Sequence, residues 1–422
     1  MDVEKLLKKT EKVDKEVSEL CSALVQFNSA HPDGFTHECV DYIKAYLDRH
    51  GVENSVHTKE DKKPNIVAKI SGESNKTVLW VGHLDVVPEG KPENWTHPPY
   101  KGVIENGFVF GRGSSDMKGA CAAAMVSTRL LNGLDSIPNN VEYWFTADEE
   151  IGGVAGARWL AETGRFNGDV CIIGDGNGGG WKNPSIDLGC KGGAGTKLIA
   201  RGKTAHGSTP YLGDNAITKL MKGIPWVEKI GEYELDVPTE LELPIKSSID
   251  FLKASQEHTD EQDRAIERAY YYPSVSCNII AGGVKTNVVP DYAEAQFDIR
   301  LTPGSSPLKV KARIEELVKE SGIQGLEVEV RARETAGYYE SPNSTFAHQF
   351  SSTIERITGI KPSFKILTGG TDGVSTSRIA KIPSLGWGTS LAGEAHQPDE
   401  KISIENLVLG IKIYSLFPLL YS

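Results

Sequence analysis

The residue types able to share one chemistry in this chain are His83, Asp85, Asp116, the Glu149-Glu150 pair, Asp175 and His396. His83 follows an apolar, β-branched-rich run, Thr77 to Gly82, which reads as a buried parallel strand. It therefore stands just past a strand's carboxyl end, where open α/β sheets carry their chemistry. Asp85, two residues on, is close enough to orient the His83 ring with its carboxylate. Asp116 ends the run Gly111-Arg112-Gly113-Ser114-Ser115 and precedes an Ala-rich helix expected from Met117 to Asn132. Glu149 and Glu150 follow a strand at 141–146, and Asp175 follows another at 170–173. Two imidazoles and several carboxylates, with no cysteine among them, suit a borderline divalent metal such as zinc, cobalt or manganese. Two ions would share a ligand, and a carboxylate can bridge them. Adjacent glutamates then make sense if one binds metal while its neighbour faces the attacking water. Taken singly, each residue has a plainer reading as a helix cap, a solvated carboxylate or a loop histidine. Three successive strand ends weigh toward a common site.

The elements that position these residues follow from periodicity. Residues 3–27 carry a helical apolar stripe, and 37–50 a second one. Strands are expected at 66–70 and 77–81, then a long Pro- and Gly-rich loop over 86–109. Beyond the 117–132 helix come the strand at 141–146, a helix near 155–163 and the strand at 170–173. Strand, polar cluster and helix in repetition define an α/β domain with parallel pairing. After Gly189 the order becomes strand 193–201, helix 215–230, strands 274–281 and 293–301, helix 308–321 and strand 326–332. That βαββαβ order is a ferredoxin-like split unit, inserted into the first domain. Residues 231–272 interrupt it as a polar excursion with no structure assigned. The remainder supplies a helix at 344–358, the glycine-rich Gly369 to Gly373, a strand at 383–387, and a closing helix at 403–414. The expected division is 1–189 with 334–422, and 190–333 as the insert.

A chain of 422 residues that is 39% hydrophobic buries a large core. Its net charge of −11 argues against nucleic acid or an anionic membrane as partner. The charged N-terminus has no signal-like apolar core, and no run approaches the ~18 apolar residues of a membrane span. These features lead us to expect a cytoplasmic protein. The six cysteines have no paired C-x-x-C spacing and read as reduced core thiols. Gly174 to Gly179 fits G-x-G-x-x-G, but it runs into Trp181-Lys182-Asn183-Pro184, which cannot open a helix, so dinucleotide binding is rejected. Gly111 to Gly119 lacks the G-K-[ST] ending of a phosphate loop. Ser114 and Ser115 sit in no G-x-S-x-G elbow.

Gly82-His83-Leu84-Asp85-Val86-Val87-Pro88, Gly111-Arg112-Gly113 through Asp116-Met117-Lys118-Gly119, and Asp148-Glu149-Glu150 resemble one family in this order. Thr204-Ala205-His206-Gly207-Ser208, Asn215-Ala216 and Ala395-His396-Gln397-Pro398-Asp399-Glu400 extend the resemblance over nearly the whole chain. It is the family of dinuclear-zinc aminoacylases and exopeptidases, which includes acetylornithine deacetylase, succinyl-diaminopimelate desuccinylase, carboxypeptidase G and carnosinase-type dipeptidases. The resemblance implies a zinc-exopeptidase-like α/β/α catalytic domain with an inserted lid and dimerisation domain. It implies that His83 and Asp175 hold one metal, Glu150 and His396 the other, that Asp116 bridges, and that Glu149 is the base. His206 would stabilise the oxyanion, from the neighbouring subunit in dimeric members. Asn287, Arg300, Gly370 and Thr371 match positions that bind a substrate carboxylate, and Lys191 could join them. For Arg300 an ordinary surface ion pair is the alternative. The function implied is a metal-dependent amidohydrolase acting on a small N-acyl amino acid, with a homodimer formed through the lid. One position departs: Asp175 stands where the deacylase branch usually carries Glu and the dipeptidase and tripeptidase branches carry Asp. The segments around His206 and His396 look more like the deacylase branch, so a dipeptidase stays open.

Overall fold

The computed structural model describes residues 3–255, 257–331 and 336–422. The chain divides into two compact units. One comprises Met1–Gly189, Tyr339–Leu367 and Thr371–Ser422, the other Cys190–Tyr338 and Thr368–Gly370. Ala332, the expected end of a strand, and the expected boundary at 333/334 lie outside the described residues.

The first unit is built on one large sheet. Its strands run in the order Glu53–Thr58, Pro64–Ile70, Asn140–Thr146, Thr77–His83, Val170–Ile173 and Ser384–Gly386, continued by Ser185–Cys190, with which Ser363–Leu367 also pairs. Thr77–His83 pairs in parallel with both of its neighbours. Pro64–Ile70 pairs antiparallel with Asn140–Thr146, so the sheet is mixed where the sequence suggested parallel pairing alone. Both faces are covered, which explains the unbroken apolar runs. Leu79 and Val81 pack with Trp144, Cys171, Ile173 and Leu160 on one face. Val78, Trp80, Tyr143 and Ile172 lie with Phe350, Tyr414 and Phe417 on the other. Each such buried aliphatic or aromatic side chain contributes about 1.5–3 kcal/mol. The result is the expected three-layer α/β/α arrangement.

Several elements differ from the sequence reading. The first helical stripe is broken at Val13 into Val3–Lys9 and Asp14–Gln26, with a single 3-10 turn between. The Ala-rich helix begins at Gly119, not Met117, because the backbone at Asp116 (φ −124°, ψ 93°) and Met117 (φ −133°, ψ 29°) is not helical. Gly119 is required there, since a Cβ would come 2.4 Å from the Ser114 carbonyl oxygen. The 86–109 loop contains two short strands, Val103–Glu105 and Phe108–Phe110, which pair with each other. Phe108–Phe110 also pairs with Lys401–Ser403, tying this loop to the segment after His396.

The second unit has the ferredoxin-like arrangement. Its main sheet runs Ser274–Gly282, Tyr292–Leu301, Gly195–Arg201 and Leu326–Arg331, all antiparallel, with helices Ala216–Glu228 and Pro307–Glu320 as the crossovers. Leu198, Leu220, Phe297, Ile299 and Ile314 form its core. The unassigned 231–272 excursion is mostly helical, with Glu242–Ser255 and Asp260–Tyr271. Thr259 and Gln262 form a capping box at the start of the latter helix.

Candidate metal centre

His83, Asp116 and Glu150 each offer a ligand atom, and these atoms lie within 4.8 Å of one another. His83 is buried at the end of its strand, and its Nε2 stands 3.2 Å from Asp116 Oδ1. The other Asp116 oxygen, Oδ2, is 3.2 Å from His396 Nε2. His396 Nε2 is also 3.2 Å from Glu150 Oε1. One carboxylate thus lies between two imidazoles. Asp116 Oδ1 is buried yet makes no well-aligned hydrogen bond, as expected of an oxygen aimed at a shared centre. The two remaining predicted ligands stand differently. Glu150 enters the cluster directly, whereas Asp175, past the end of Val170–Ile173, feels the charges of Asp116, His83 and Glu150 without joining the three grouped ligand atoms.

Asp85 acts differently from the sequence expectation. The His83 Nδ1 is held at 3.0 Å by the Asp85 main-chain carbonyl, while the carboxylate is 3.6 Å away. That carboxylate instead accepts the backbone N–H groups of Glu149 at 3.0 Å and Glu150 at 3.1 Å. It caps the short 3-10 turn Glu149–Ile151, so one buried side chain fixes both glutamates. His31 Nε2 lies 2.8 Å from the same carboxylate.

Charge is concentrated here. Burial works against a charged His83, but its close contact with the Asp116 carboxylate and the charges of Asp85 and Glu149 lift it well above the ordinary imidazole value. The bonds to Asp116 and Glu150 lift His396 to about 10. Burial opposes ionisation of Asp116, yet the two imidazoles hold its carboxyl well below the usual carboxylate range. Glu149 is pushed well up, by burial first and then by Asp372, Asp175 and Glu150. Burial and the charge of Asp116 push Asp175 to about 8. Asp372, which accepts from Thr146 Oγ1 at 2.9 Å, is pushed by burial to about 7. Carboxyls raised together and imidazoles raised with them describe a pocket of excess negative charge. This donor set fits divalent cations.

The remaining predicted residues have their own settings. In the second unit, Ala205–His206 pairs with Val288–Val289, and the Gly207 N–H donates to the Asn287 carbonyl at 2.8 Å, so His206 and Asn287 sit together. His206 is exposed, with Nδ1 2.7 Å from Ser208 Oγ. Arg300 donates through Nε to both Asp298 oxygens at 2.9 and 3.0 Å, the surface pair held open as its alternative. Lys191 is buried, donates to the Ala269 carbonyl at 2.6 Å and lies over the Tyr270 ring. Burial pushes its ammonium down to about 8. Gly370 borders open space, and the Thr371 hydroxyl accepts the Gly373 N–H at 3.2 Å. From Gly174 to Pro184 there is no helix, in keeping with the rejection of dinucleotide binding.

Sequence reasoning missed His31, Asp372, Arg112 and Glu400. Glu400 is fully buried, pairs with Arg112 Nη1 at 2.6 Å, and accepts the Ser115 and Asp116 N–H groups at 2.9 and 3.0 Å. Arg112 and Glu400 stood inside recognised motifs, and Asp372 inside the glycine-rich 369–373 run. His31 carried no signal of its own.

Comparison with known proteins identifies the chain as a metal-dependent amidohydrolase of the metallopeptidase and deacylase kind. The profile of Peptidase family M20/M25/M40 matches residues 79–419, and the chain belongs to that family. It is 30% identical over 295 residues to a probable succinyl-diaminopimelate desuccinylase of Staphylococcus aureus strain Mu50, covering 69% of this chain and 70% of that one. It is 26% identical over 412 residues to the succinyl-diaminopimelate desuccinylase of Rickettsia felis, covering 93% and 96%. Among solved structures, the M20 metallo-carboxypeptidase Sso-CP2 of Sulfolobus solfataricus shares the fold (TM-score 0.78, 23% identity, 96% of this chain and 99% of that one). Human carnosine dipeptidase 1 shares it too (TM-score 0.73, 19% identity, 99% and 98%).

Proposed function

We propose that this enzyme hydrolyses the amide of a small N-acyl amino acid, with succinyl-diaminopimelate or acetylornithine as the model substrate. The observation that carries the reading is the Asp116 carboxylate set between His83 and His396, 3.2 Å from each, with Glu149 preceding Glu150 on the turn that Asp85 caps. In this reading Asp116 bridges two divalent ions, His83 and Asp175 hold one, and Glu150 and His396 hold the other. Zinc is the metal favoured by the donor set, with cobalt or manganese as alternatives. When bound, two such ions lower the pKa of water toward ~7 and polarise a carbonyl oxygen. Glu149 takes the proton of the attacking water and returns it to the departing amine. Asp85 and His31 fix the turn on which that carboxyl sits. His206 supports the oxyanion, while Asn287, Arg300, Gly370 and Thr371 receive the substrate carboxylate. Lys191 is the weakest member of the set, because its ammonium is already engaged.

A dipeptidase is the second reading, favoured by Asp175 in place of Glu. N-succinyl and N-acetyl amino acids assayed against dipeptides, each with zinc, cobalt and manganese, separate the two. We expect kcat/KM for the best N-acyl substrate to exceed that for the best dipeptide by at least about tenfold, roughly 1.4 kcal/mol of discrimination. The reverse ratio selects the dipeptidase, and no turnover of either class with any metal removes both.

The proposal includes a cytoplasmic homodimer formed through the inserted unit. In support, Ser274–Gly282 is the edge of its sheet, with Ile279 and Ile280 53% and 63% exposed, an edge suited to pairing with a second copy. Among the described residues no helix is long and apolar enough to cross a membrane. If His206 serves the partner's centre, a mixture of His206→Ala and Glu149→Gln subunits regains activity that neither homodimer has. A mixed dimer that assembles and stays inactive rejects action in trans.

A further inference from the structure

The buried Arg112–Glu400 pair lies outside the cluster of proposed ligands, yet it grips the backbone on both sides of it. Glu400 Oε1 accepts the N–H groups of Ser115 and Asp116, at 2.9 and 3.0 Å. Its Oε2 meets Arg112 Nη1 at 2.6 Å. The same guanidinium donates to the Gln397 carbonyl at 3.2 Å and the His396 carbonyl at 3.4 Å. It also lies 5.2 Å from the centre of the Trp95 ring. Arg112 is 2% exposed and Glu400 is 0% exposed, so neither partner meets water. A buried ion pair is seldom retained for stability alone, since an apolar pair of similar volume does as well or better. The Asp116 turn is non-helical and His396 has a positive φ of 65°, so neither backbone is held by regular structure.

We infer that Arg112 and Glu400 are positioning residues, which set the distance between the Asp116 carboxylate and the His396 imidazole and so tune one of the two metal positions. The inference rests on the proposed ligand roles of Asp116 and His396. The guanidinium fork is the part that reaches His396, because one planar group spans the Glu400 carboxylate and three carbonyls at once, that of Pro88 at 3.4 Å among them. A lysine ammonium at the same place keeps the charge beside Glu400 but cannot span all four. The metal position shared by His396 and Glu150 is then the sensitive one, and the position of His83 and Asp175 is not.

The test uses the full chain, stripped of metal and titrated calorimetrically with zinc, then with cobalt followed by its visible spectrum. Arg112→Lys should keep the parental Tm and bind one equivalent normally, while the other weakens by about 10- to 100-fold, the usual cost of losing an outer partner of a ligand. The paired variant Arg112→Met with Glu400→Gln removes both charges together, so the fold is kept without an unpaired ion. A purely structural pair predicts that this variant keeps the parental Tm and binds both equivalents with parental affinity. Positioning predicts the parental Tm with the weakened equivalent and its altered cobalt spectrum persisting. His396→Ala is the control and should lose that same equivalent. If the control loses it while both folded variants bind two equivalents with parental affinity, the positioning role is overturned and the ligand reading stands. If His396→Ala itself keeps both equivalents, the ligand reading falls and this inference falls with it.

Discussion

Glu149→Gln is expected to retain two equivalents of metal and to lower kcat by about 10²–10⁴, with KM little changed. The substitution keeps side-chain volume and leaves the Glu149 N–H on the Asp85 carboxylate, 3.0 Å away, so the turn that also carries Glu150 is undisturbed. On the proposed roles it removes only the group that accepts and returns a proton. The neighbouring glutamate is distinguished by contact: Glu150 Oε1 meets His396 Nε2 at 3.2 Å. Glu149 is distinguished by environment, a carboxyl pushed well up by burial and by Asp372, Asp175 and Glu150. An amide in its place also relieves like-charge crowding, so the metal-free variant should unfold no sooner than the parent at pH 7. Steady-state kinetics with elemental analysis of the dialysed protein checks this. A variant that loses metal along with activity would exchange the roles of the two glutamates.

What the sequence revealed of this centre divides along physical lines. Strand ends are legible because a strand buried on both faces leaves an unbroken apolar run, and His83, Glu149 and Asp175 all lie just past such runs. Contacts across long sequence separations are not legible. Glu400 reaches the Asp116 N–H over 284 positions, and nothing local to either residue announces it. Asp85 shows the same limit in a finer form. Its spacing from His83 suggested a carboxylate orienting the ring, yet the carbonyl takes that place and the carboxylate caps the Glu149 turn. Both arrangements suit the same spacing, and only the backbone path decides between them. The helix start moved from Met117 to Gly119 for a related reason, since the Ser115 and Asp116 N–H groups bond to a side chain from elsewhere. In the 86–109 segment the signal was present but outweighed by Pro and Gly content. Asn106-Gly107, both at positive φ (51° and 81°), is a strong two-residue hairpin sequence, and it joins the two strands that the composition concealed. The 231–272 excursion hid two helices because its polar composition masks the apolar face; Tyr270 is buried, and Ile245 and Ser248 mark the inward side of the preceding helix.

Asp116→Ala should cost both metals together. Asp116 contacts both imidazoles, with Oδ1 toward His83 and Oδ2 toward His396. If it bridges, neither position is complete without it. Each should weaken by more than the about 10–100-fold that follows loss of an outer-shell partner. The fold itself should survive, because the residue's N–H stays on Glu400 whatever side chain it carries. A second signature comes from the metal-free protein. The bond to Asp116 is the largest influence lifting His396 to about 10, so its imidazole should titrate well below that in the variant, followed by NMR of the ring protons. The sign is fixed by the lost carboxylate: removing a negative partner makes the imidazolium easier to deprotonate. Calorimetric titration with zinc reads the stoichiometry directly. One equivalent retained at parental affinity, with only the other lost, would assign Asp116 to a single position and put the bridge elsewhere in the cluster.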